Sequence, residues 1–173
     1  MRIISGEHKG KKIHVPDNLP LRPTTDKAKE AIFNILDNRF YFKEKNVLDL
    51  FSGTGNIAFE FSSRGVKNTT AVDYNNDCVN FIKKTSLDLN LNITAIKSDC
   101  IKYLKNCKEQ FNIIFADPPY RYKNHQIIKD LIFKKKLVKK NGCLIIEHDN
   151  STSIDGNFEL RKYGTVHFSI FSL

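Results

Sequence analysis

Short runs of apolar and β-branched residues alternate with helix-like segments along most of this chain. Five runs of four to six residues, at 46–51, 69–72, 93–96, 111–116 and 143–146, are too short for typical helices and favour buried strands. The segments between them space their apolar residues as an amphipathic helix does. Strands alternating with helices predict an α/β fold with a doubly wound, mostly parallel sheet.

The two ends of the chain depart from this alternation. Residues 2–4 and 12–15 flank a polar turn with two glycines, which predicts a small hairpin, and a helix with apolar positions from 28 to 36 follows. Near the other end, 158–160 and 166–171 predict an antiparallel hairpin.

These elements together predict a seven-stranded sheet. We expect a single domain over 1–173, in which 1–45 is a hairpin and helix appendage and 46–173 is the core.

The strand at 111–116 ends in Asp117-Pro118-Pro119-Tyr120. Each proline fixes its own φ, lacks an N–H and biases the preceding residue towards an extended conformation, so the loop is stiff. The Asp117 carboxylate and a proline-loop carbonyl supply acceptors, and Tyr120 supplies an aromatic face, which suits a planar group with an exocyclic amine. The alternative is a strand-ending Asp-Pro turn with Tyr120 in the core.

Each of the first four predicted strands ends in or near an acidic residue: Asp49, Asp73, Asp99 or Asp117. Ligands of open α/β sheets bind outside the carboxyl ends of the strands, where the strand order reverses. Four carboxylates at that edge repel one another unless a ligand brings donors or positive charge. We therefore expect a ligand there, with Asp99 placed to accept a hydrogen bond from an adenine amine.

A glycine loop joins the first strand to its helix. Gly53 and Gly55 let a ligand approach the backbone, and Asp73 follows Gly55 at about the distance of a ribose-binding acid. With Ala58 as its last member the loop also fits a dinucleotide fingerprint. A nicotinamide enzyme is the competitor, but we find no other hydride-transfer residues, and an adenosine with a cationic sulfonium fits the acidic edge better than a pyrophosphate.

The chain is strongly basic, with a formal net charge of +9 and a pI near 9.4. Between Lys102 and Lys140, eleven Lys and Arg residues face three acids. This surplus predicts a basic rim around the cleft that attracts a phosphate-bearing substrate, and the hairpin lysines add to it. The alternative is an ordinary solvated helix face.

Several classes of protein are disfavoured. No apolar stretch approaches the roughly 20 residues of a membrane span, and the start lacks a signal peptide's apolar core. The four cysteines form no CxxC pair, and no histidine lies at metal-ligand spacing from them. We expect a cytoplasmic protein with reduced thiols and no metal site.

The chain resembles the bacterial methyltransferases that use S-adenosylmethionine to modify the exocyclic N2 of a guanine in small-subunit (16S) ribosomal RNA. The matching stretches are 1–6, 9–12, 22–27, 31–34, 48–55, 72–73, 117–120 and 146–149. Ser52 and Thr54 depart from the Ala and Ser expected there, which are small-for-small changes. The segment at 22–34 is more specific than the glycine loop or the Asp-Pro-Pro-Tyr loop.

The resemblance implies a Rossmann-like methyltransferase with S-adenosylmethionine as cofactor and 16S rRNA as partner, within the small subunit or an assembly intermediate. We expect a monomer that contacts no membrane. The implied catalytic residues are Asp117, Pro118, Pro119 and Tyr120. The implied cofactor-binding residues are Asp49, Gly53, Gly55, Asp73, Asp99, Thr24 and Thr25. The expected RNA-binding residues are Lys9, Lys11, Lys12, Arg22, Arg121 and Lys123.

Some of these residues have a simpler structural interpretation. Asp49 is equally well interpreted as an acceptor for loop N–H groups, and Thr24 or Thr25 as a helix cap. We interpret His148, which follows Glu147 at the end of the fifth strand, as a packed or surface imidazole rather than a catalytic aid. Two other functions remain open: a methyltransferase acting on adenine N6 in DNA or other RNA, and a non-catalytic RNA-binding protein.

Overall fold

The computed structural model describes residues 1–19, 25–119 and 122–173, and seven strands within them form one sheet. The strands are β1 Asn46–Leu50, β2 Asn68–Asp73, β3 Ile93–Lys97, β4 Phe111–Ala116, β5 Val138–His148, β6 Glu159–Tyr163 and β7 Val166–Ser172. The α-helices are α1 Asp26–Asp37, α2 Asn56–Ser63, α3 Asn76–Asp88, α4 Cys100–Asn106 and α5 His125–Lys134, and a 3₁₀ turn spans Phe42–Glu44.

The strand order is β3-β2-β1-β4-β5-β7-β6. The first five strands are parallel, and β7 is antiparallel to both β5 and β6. The chain moves outward from β1 to β3 and then returns to start again at β4, so the order reverses between β1 and β4. The predicted doubly wound, mostly parallel sheet is confirmed.

Helices cover both faces because successive strand residues point to opposite sides. Leu48 and Leu50 of β1 pack in the core cluster that contains α4 and α5. Val47 packs in the cluster that contains α1 and α2. β1 is therefore buried on both faces, as its mostly apolar run predicted.

The strand β5 is longer than predicted, because a bulge of polar residues continues it towards its start. Its pairing with β4 changes register between Phe111 opposite Val138 and Ile113 opposite Cys143. Gly142 permits the close approach, since a Cβ there would lie 2.5 Å from the carbonyl oxygen of Asn112. The polar sequence of the bulge hid this half of the strand from the apolar pattern.

A buried carboxylate joins the N-terminal segment to the core. Glu60 of α2 accepts hydrogen bonds from the backbone N–H groups of Ile4 at 2.8 Å and Ser5 at 3.0 Å. The Lys29 ammonium of α1 lies 3.4 Å from Glu60, and both side chains are fully buried. Arg64 Nε donates to the other Glu60 oxygen at 2.8 Å. Burial lowers the pKa of Lys29, and the Glu60 carboxylate opposes that shift.

The predicted N-terminal hairpin forms with a single bridge between Arg2 and Lys12. Its apolar residues Ile3 and Ile13 are buried in the cluster between α2 and α3. Thr25 caps α1, since its Oγ1 accepts from the Ala28 N–H at 3.2 Å. Across the described ranges, no helix has the length and apolar character to span a bilayer.

Candidate active site

The ends of β1 and β4 lie side by side where the strand order reverses. We call this the carboxyl edge, because β1 to β5 all end there, and the opposite side the amino edge. Leu50 pairs with Ala116, and the Asp117 N–H donates to the Leu50 carbonyl at 3.3 Å. Asp49, whose register partner is Phe115, and Asp117 are thus brought to neighbouring strand ends.

Asp49 is only 2% exposed, and its Oδ2 has no hydrogen-bond partner within the described residues. Burial raises the pKa of Asp49 well above its usual range, and the nearby charges of Asp117 and Asp73 raise it further. Hydrogen bonds from Ser52 and the Ala58 backbone oppose the shift. Asp49 therefore accepts hydrogen bonds from the Ser52 side chain and from the backbone of α2. It also presents a buried oxygen that only an additional donor can satisfy.

The two glycines of the loop are required for different structural reasons. Gly53 has a φ of +51°, and a Cβ built on it would meet nothing within 4 Å, so open space adjoins its backbone. Gly55 has a φ of +84°, and a Cβ there would lie 2.8 Å from the Phe59 ring and 2.9 Å from Ile82 Cγ1. Gly53 leaves room for a ligand, whereas Gly55 lets α2 pack against α3.

Asp73 holds the loop in place. Its Oδ2 accepts from the Gly53 N–H and its Oδ1 from the Asn75 N–H, both at 2.8 Å. Each carboxylate oxygen can accept a second hydrogen bond. A ribose contact by Asp73 is therefore compatible with these bonds but is not the only task of this side chain.

One cavity joins the glycine loop to the Asp-Pro-Pro loop. Its lining includes Asp49, Gly53, Asp73, Asp117 and Pro119. Five of the predicted site residues, which are spread over about seventy residues of sequence, thus face a single space.

Asp99 lies apart from this cavity. It lines a neighbouring depression that shares Tyr74 with the cavity. Its Oδ1 accepts from the Lys102 N–H at 2.9 Å and so caps α4. The adenine contact of Asp99 stays a prediction, and it requires the ligand to extend past the exposed ring of Tyr74.

The Asp-Pro-Pro loop turns back on itself through residues that the sequence did not single out. Pro119 accepts a hydrogen bond from the Tyr122 N–H at 2.7 Å. The Tyr122 ring lies 5.2 Å from the Phe51 ring in an edge contact, and burial raises the Tyr122 pKa to about 12. Phe51 has a φ of +59°, which is rare for a bulky residue. This contact connects the two loops that line the cavity.

Four residues with predicted roles lie outside the described ranges: Thr24, Arg22, Tyr120 and Arg121. His148 is buried, with Nε2 2.8 Å from Ser169 Oγ and Nδ1 2.7 Å from the Asp149 carbonyl, and burial lowers its pKa. It is a packed imidazole, as interpreted.

The prediction of a basic rim around the cleft is largely wrong. Helices α4 and α5 begin at the carboxyl edge and end at the amino edge, and β5 begins at the amino edge. Most of the surplus follows them away from the cleft, namely Lys105, Lys134, Lys135, Lys136, Lys139 and Lys140. Lys102 and Lys108 line the depression that contains Asp99. Lys123 remains beside the Asp-Pro-Pro loop, in a depression that Tyr122 also lines.

The hairpin lysines do not form one group either. Lys12 is not at the tip of the hairpin, because its backbone pairs with that of Arg2 in an antiparallel β-bridge. The Arg2 carbonyl and the Asn56 side chain, which lines the cavity, both accept from Lys29 Nζ, at 2.7 and 2.8 Å. Lys9 belongs to the turn that contacts Ser63 at the far end of α2, where the Glu7 N–H donates to the Ser63 carbonyl at 2.8 Å.

The fold and this cavity define a Rossmann-like methyltransferase. The family model described as "Conserved hypothetical protein 95" matches residues 1–172. The chain belongs to this family, and the resemblance found in its sequence is confirmed.

The chain is also similar to three individual proteins. It is 32% identical over 179 residues to the "Ribosomal RNA small subunit methyltransferase D" of Buchnera aphidicola, covering 99% of this chain and 91% of that protein. A putative methyltransferase of Escherichia coli of known structure superposes with a TM-score of 0.86 at 26% identity, covering 99% and 97% of the two chains. A 16S rRNA N2 methyltransferase of Thermus thermophilus, solved with AdoMet and guanosine, superposes with a TM-score of 0.68 at 17% identity, covering 86% of this chain and 43% of that one.

Proposed function

We propose that the protein transfers a methyl group from S-adenosylmethionine to the exocyclic N2 amine of a guanine in the 16S rRNA of the small ribosomal subunit. The observation that carries the proposal is the single cavity lined by Gly53 and Asp73 on one side and by Asp117 and Pro119 on the other. The rRNA is supported by what the Buchnera relative is named. The N2 position is supported by the acceptor-rich Asp-Pro-Pro loop and by the resemblance in sequence.

The residues of the glycine loop fit the cofactor. The buried Oδ2 of Asp49 calls for a donor or a positive charge, the open space at Gly53 admits a ligand beside the backbone, and Asp73 retains acceptor capacity. When bound, S-adenosylmethionine supplies the electrophilic methyl group. Asp49, Gly53 and Asp73 would hold it, with Asp49 balancing its positive charge.

The work of the acceptor loop follows from the weakness of the nucleophile. The lone pair of guanine N2 is delocalised into the ring, so the amine is planar and attacks poorly. Accepting its two N–H hydrogens, one at the Asp117 carboxylate and one at the Pro118 carbonyl, would direct the lone pair at the methyl group. This role is orientation and electrostatic stabilisation rather than base catalysis, because the methylated ammonium loses its proton readily.

The loop's geometry is compatible with that assignment. The Pro119 carbonyl accepts from the Tyr122 N–H, which fixes the turn that follows the Asp-Pro-Pro loop. Tyr120 would stack on the base, which must leave its own stack to reach the cavity.

Mapping the methylated bases of 16S rRNA by mass spectrometry, with and without the gene, tests the proposal. We expect one N2-methylguanine to disappear and to return when purified protein and S-adenosylmethionine are added to small subunits or their RNA. Loss of an N6-methyladenine, or transfer of tritiated methyl groups to DNA, would establish the adenine enzyme instead. Failure to bind S-adenosylmethionine in calorimetry would favour the alternative of a non-catalytic RNA-binding protein.

A further inference from the structure

Seven lysines lie at or just after the ends of α4 and α5 and in the first part of β5. Most of them are at the amino edge, and Lys108 also lines the depression that contains Asp99. We call them the lysine surface: Lys105, Lys108, Lys134, Lys135, Lys136, Lys139 and Lys140. Five of them are exposed and the other two partly so. The one acid among the residues from 105 to 110 and from 134 to 140 is Glu109. The surface therefore carries much of the net charge of the protein in a small area.

Hydrogen bonds hold the backbone of this surface in place. Lys135 Nζ donates to the carbonyls of Leu104 at 2.9 Å and Lys105 at 2.6 Å, which joins the end of α5 to the end of α4. Gln110 Nε2 donates to the Lys136 carbonyl at 2.8 Å. After the bulge that carries Lys139 and Lys140, Gly142 packs closely against Asn112 of β4. The lysines thus extend from a defined platform.

A row of amides continues the platform along the starts of the parallel strands. Asn112 Oδ1 accepts from the Asn46 N–H at 3.0 Å. Asn68 Nδ2 donates to Asn46 Oδ1 at 3.1 Å, and Asn92 Nδ2 donates to Asn68 Oδ1 at 2.8 Å. Lysine and asparagine side chains are groups that contact phosphate and sugar in nucleic-acid complexes, and they position a backbone without selecting a sequence.

Helix dipoles explain only part of the charge. Lys105 and Lys134 lie in the last turns of α4 and α5, where a cation complements the helix end. Lys108, Lys139 and Lys140 lie outside both helices, so this structural reason does not apply to them.

We propose that the lysine surface is a second RNA contact, which binds the phosphate backbone of the substrate at a place remote from the methylated base. The inference rests on the proposed RNA substrate. The six residues of β4 separate the two edges by about 20 Å at roughly 3.3 Å per residue. An RNA that touches both edges must therefore cross the protein surface from one edge to the other.

The first test compares two triple variants of equal charge. The variant K108Q/K139Q/K140Q removes lysines of the surface without touching a helix end, and K83Q/K84Q/K162Q removes three exposed lysines from α3 and β6. We expect the first to lower the slope of log affinity for 16S rRNA against log salt by about 2 to 3, since each lost phosphate contact removes about 0.7 to 0.9. The control should keep the wild-type slope.

Equal slopes for the two variants would overturn the proposal, because net charge alone would then set affinity. An unchanged slope with weaker binding to polyglutamate or to anionic vesicles would overturn it in favour of an acidic protein or a lipid surface. If wild-type protein transfers no methyl group to the RNA, the proposed function fails, while the comparison of slopes still decides on the lysine surface.

The second test locates the contact on the RNA. All four native thiols are free and buried, so Lys140→Cys offers a selective attachment point for an iron chelate that cleaves nearby RNA. We expect cleavage confined to a segment of the 16S rRNA away from the methylated guanine. The matched Lys162→Cys derivative on β6 should not give it, and the same pattern from both derivatives would refute the contact.

Discussion

The two edges of the sheet are made from the same strands and helices, yet they differ in charge and in what they leave unsatisfied. Helix α4 shows the structural part of the difference. At its start the Asp99 carboxylate accepts from the Lys102 N–H at 2.9 Å, and at its end Lys135 Nζ donates to the Leu104 carbonyl at 2.9 Å. In a parallel sheet every helix starts at the carboxyl edge, so acids belong there and lysines belong at the amino edge.

Each edge also carries charge that helix ends do not require. Asp49 is buried with an oxygen that has no partner in the described chain, and Lys139 and Lys140 lie outside any helix. A group that is costly or unexplained in the protein alone indicates a ligand. By this criterion the carboxyl edge is suited to bind a compact ligand with hydrogen-bond donors and positive charge. The amino edge is suited to bind an extended polyanion.

Replacing Asp117 tests the centre of the carboxyl edge. We expect Asp117→Ala to lower kcat by about 10²–10³-fold, the scale of removing one preorganised hydrogen-bond partner of a transition state. Cofactor affinity and much of the RNA affinity should persist, because an interaction made mainly in the transition state appears in kcat. Single-turnover methyl transfer together with calorimetry measures both.

Asp117→Asn is the matched control for this change. It keeps one acceptor oxygen, so substantial activity should survive. Wild-type turnover by Asp117→Ala would show that the Asp-Pro-Pro sequence is only a strand-ending turn.

Asp73 tests how firmly the glycine loop must be held. We expect Asp73→Ala to weaken S-adenosylmethionine binding by about 1–3 kcal/mol, the range for a lost charge-assisted hydrogen bond. Part of this loss has a structural source, since the bonds to the Gly53 and Asn75 N–H groups disappear as well. Asp73→Asn keeps one acceptor and should lose less. Calorimetry on folded variants decides, and an unchanged affinity would remove Asp73 from the ribose site.

Asp49 should make the stability of the protein depend on pH. Its pKa is raised in the folded protein, so the folded state binds more protons than the unfolded state between the ordinary aspartate pKa and the raised one. Stability of the cofactor-free protein therefore falls as pH rises through that window. Asp49→Asn should remove this fall and raise Tm near pH 7 by about 2–4 °C per kcal/mol regained, while weakening cofactor binding.

Thermal unfolding from pH 4.5 to 8 without cofactor measures this difference. Asp130→Asn, on the exposed side of α5, controls for the loss of one carboxylate. If Asp49→Asn follows the pH dependence of Asp130→Asn, the buried Asp49 carboxylate does not control stability.

The apolar pattern predicted the parts of the fold that are buried on two faces. β4 was predicted with its observed bounds of Phe111–Ala116, because five of its six residues are apolar. The first half of β5 was missed, since the bulge at Lys139 and Lys140 has no apolar signal. The Lys29–Glu60 pair was missed for the same reason, because a pattern of hydrophobicity assigns charged residues to the surface.

For the candidate site, too, the sequence predicted some features and missed others. The carboxylates of β1, β2 and β4 were predicted because strand ends in a parallel sheet converge on one edge. The contact between Phe51 and Tyr122 depends on how two loops turn, which spacing does not specify. The basic rim was wrong because charge was counted along the chain, whereas α4 and α5 carry their later residues away from the cleft.

The smallest expected effect separates the hairpin lysines from one another. Neutralising Lys9, Lys11 and Lys12 together should flatten the dependence of RNA affinity on salt and leave cofactor affinity unchanged. The structure sharpens this prediction. Lys12 pairs with Arg2 near the cavity end of α2, whereas Lys9 lies near Ser63, the other end of an eight-residue helix about 12 Å long.

We therefore expect Lys12→Gln to lower the slope by about 0.7 to 0.9, the effect of one phosphate contact, and Lys9→Gln to lower it by less. Each variant removes one exposed lysine of the same hairpin, so each controls for the other in net charge and local fold. Affinity for 16S rRNA measured between 50 and 300 mM salt gives both slopes. If Lys9→Gln alone reproduces the triple variant, the RNA contacts the tip of the hairpin, and phosphate contact on this side of the protein is not confined to the carboxyl edge.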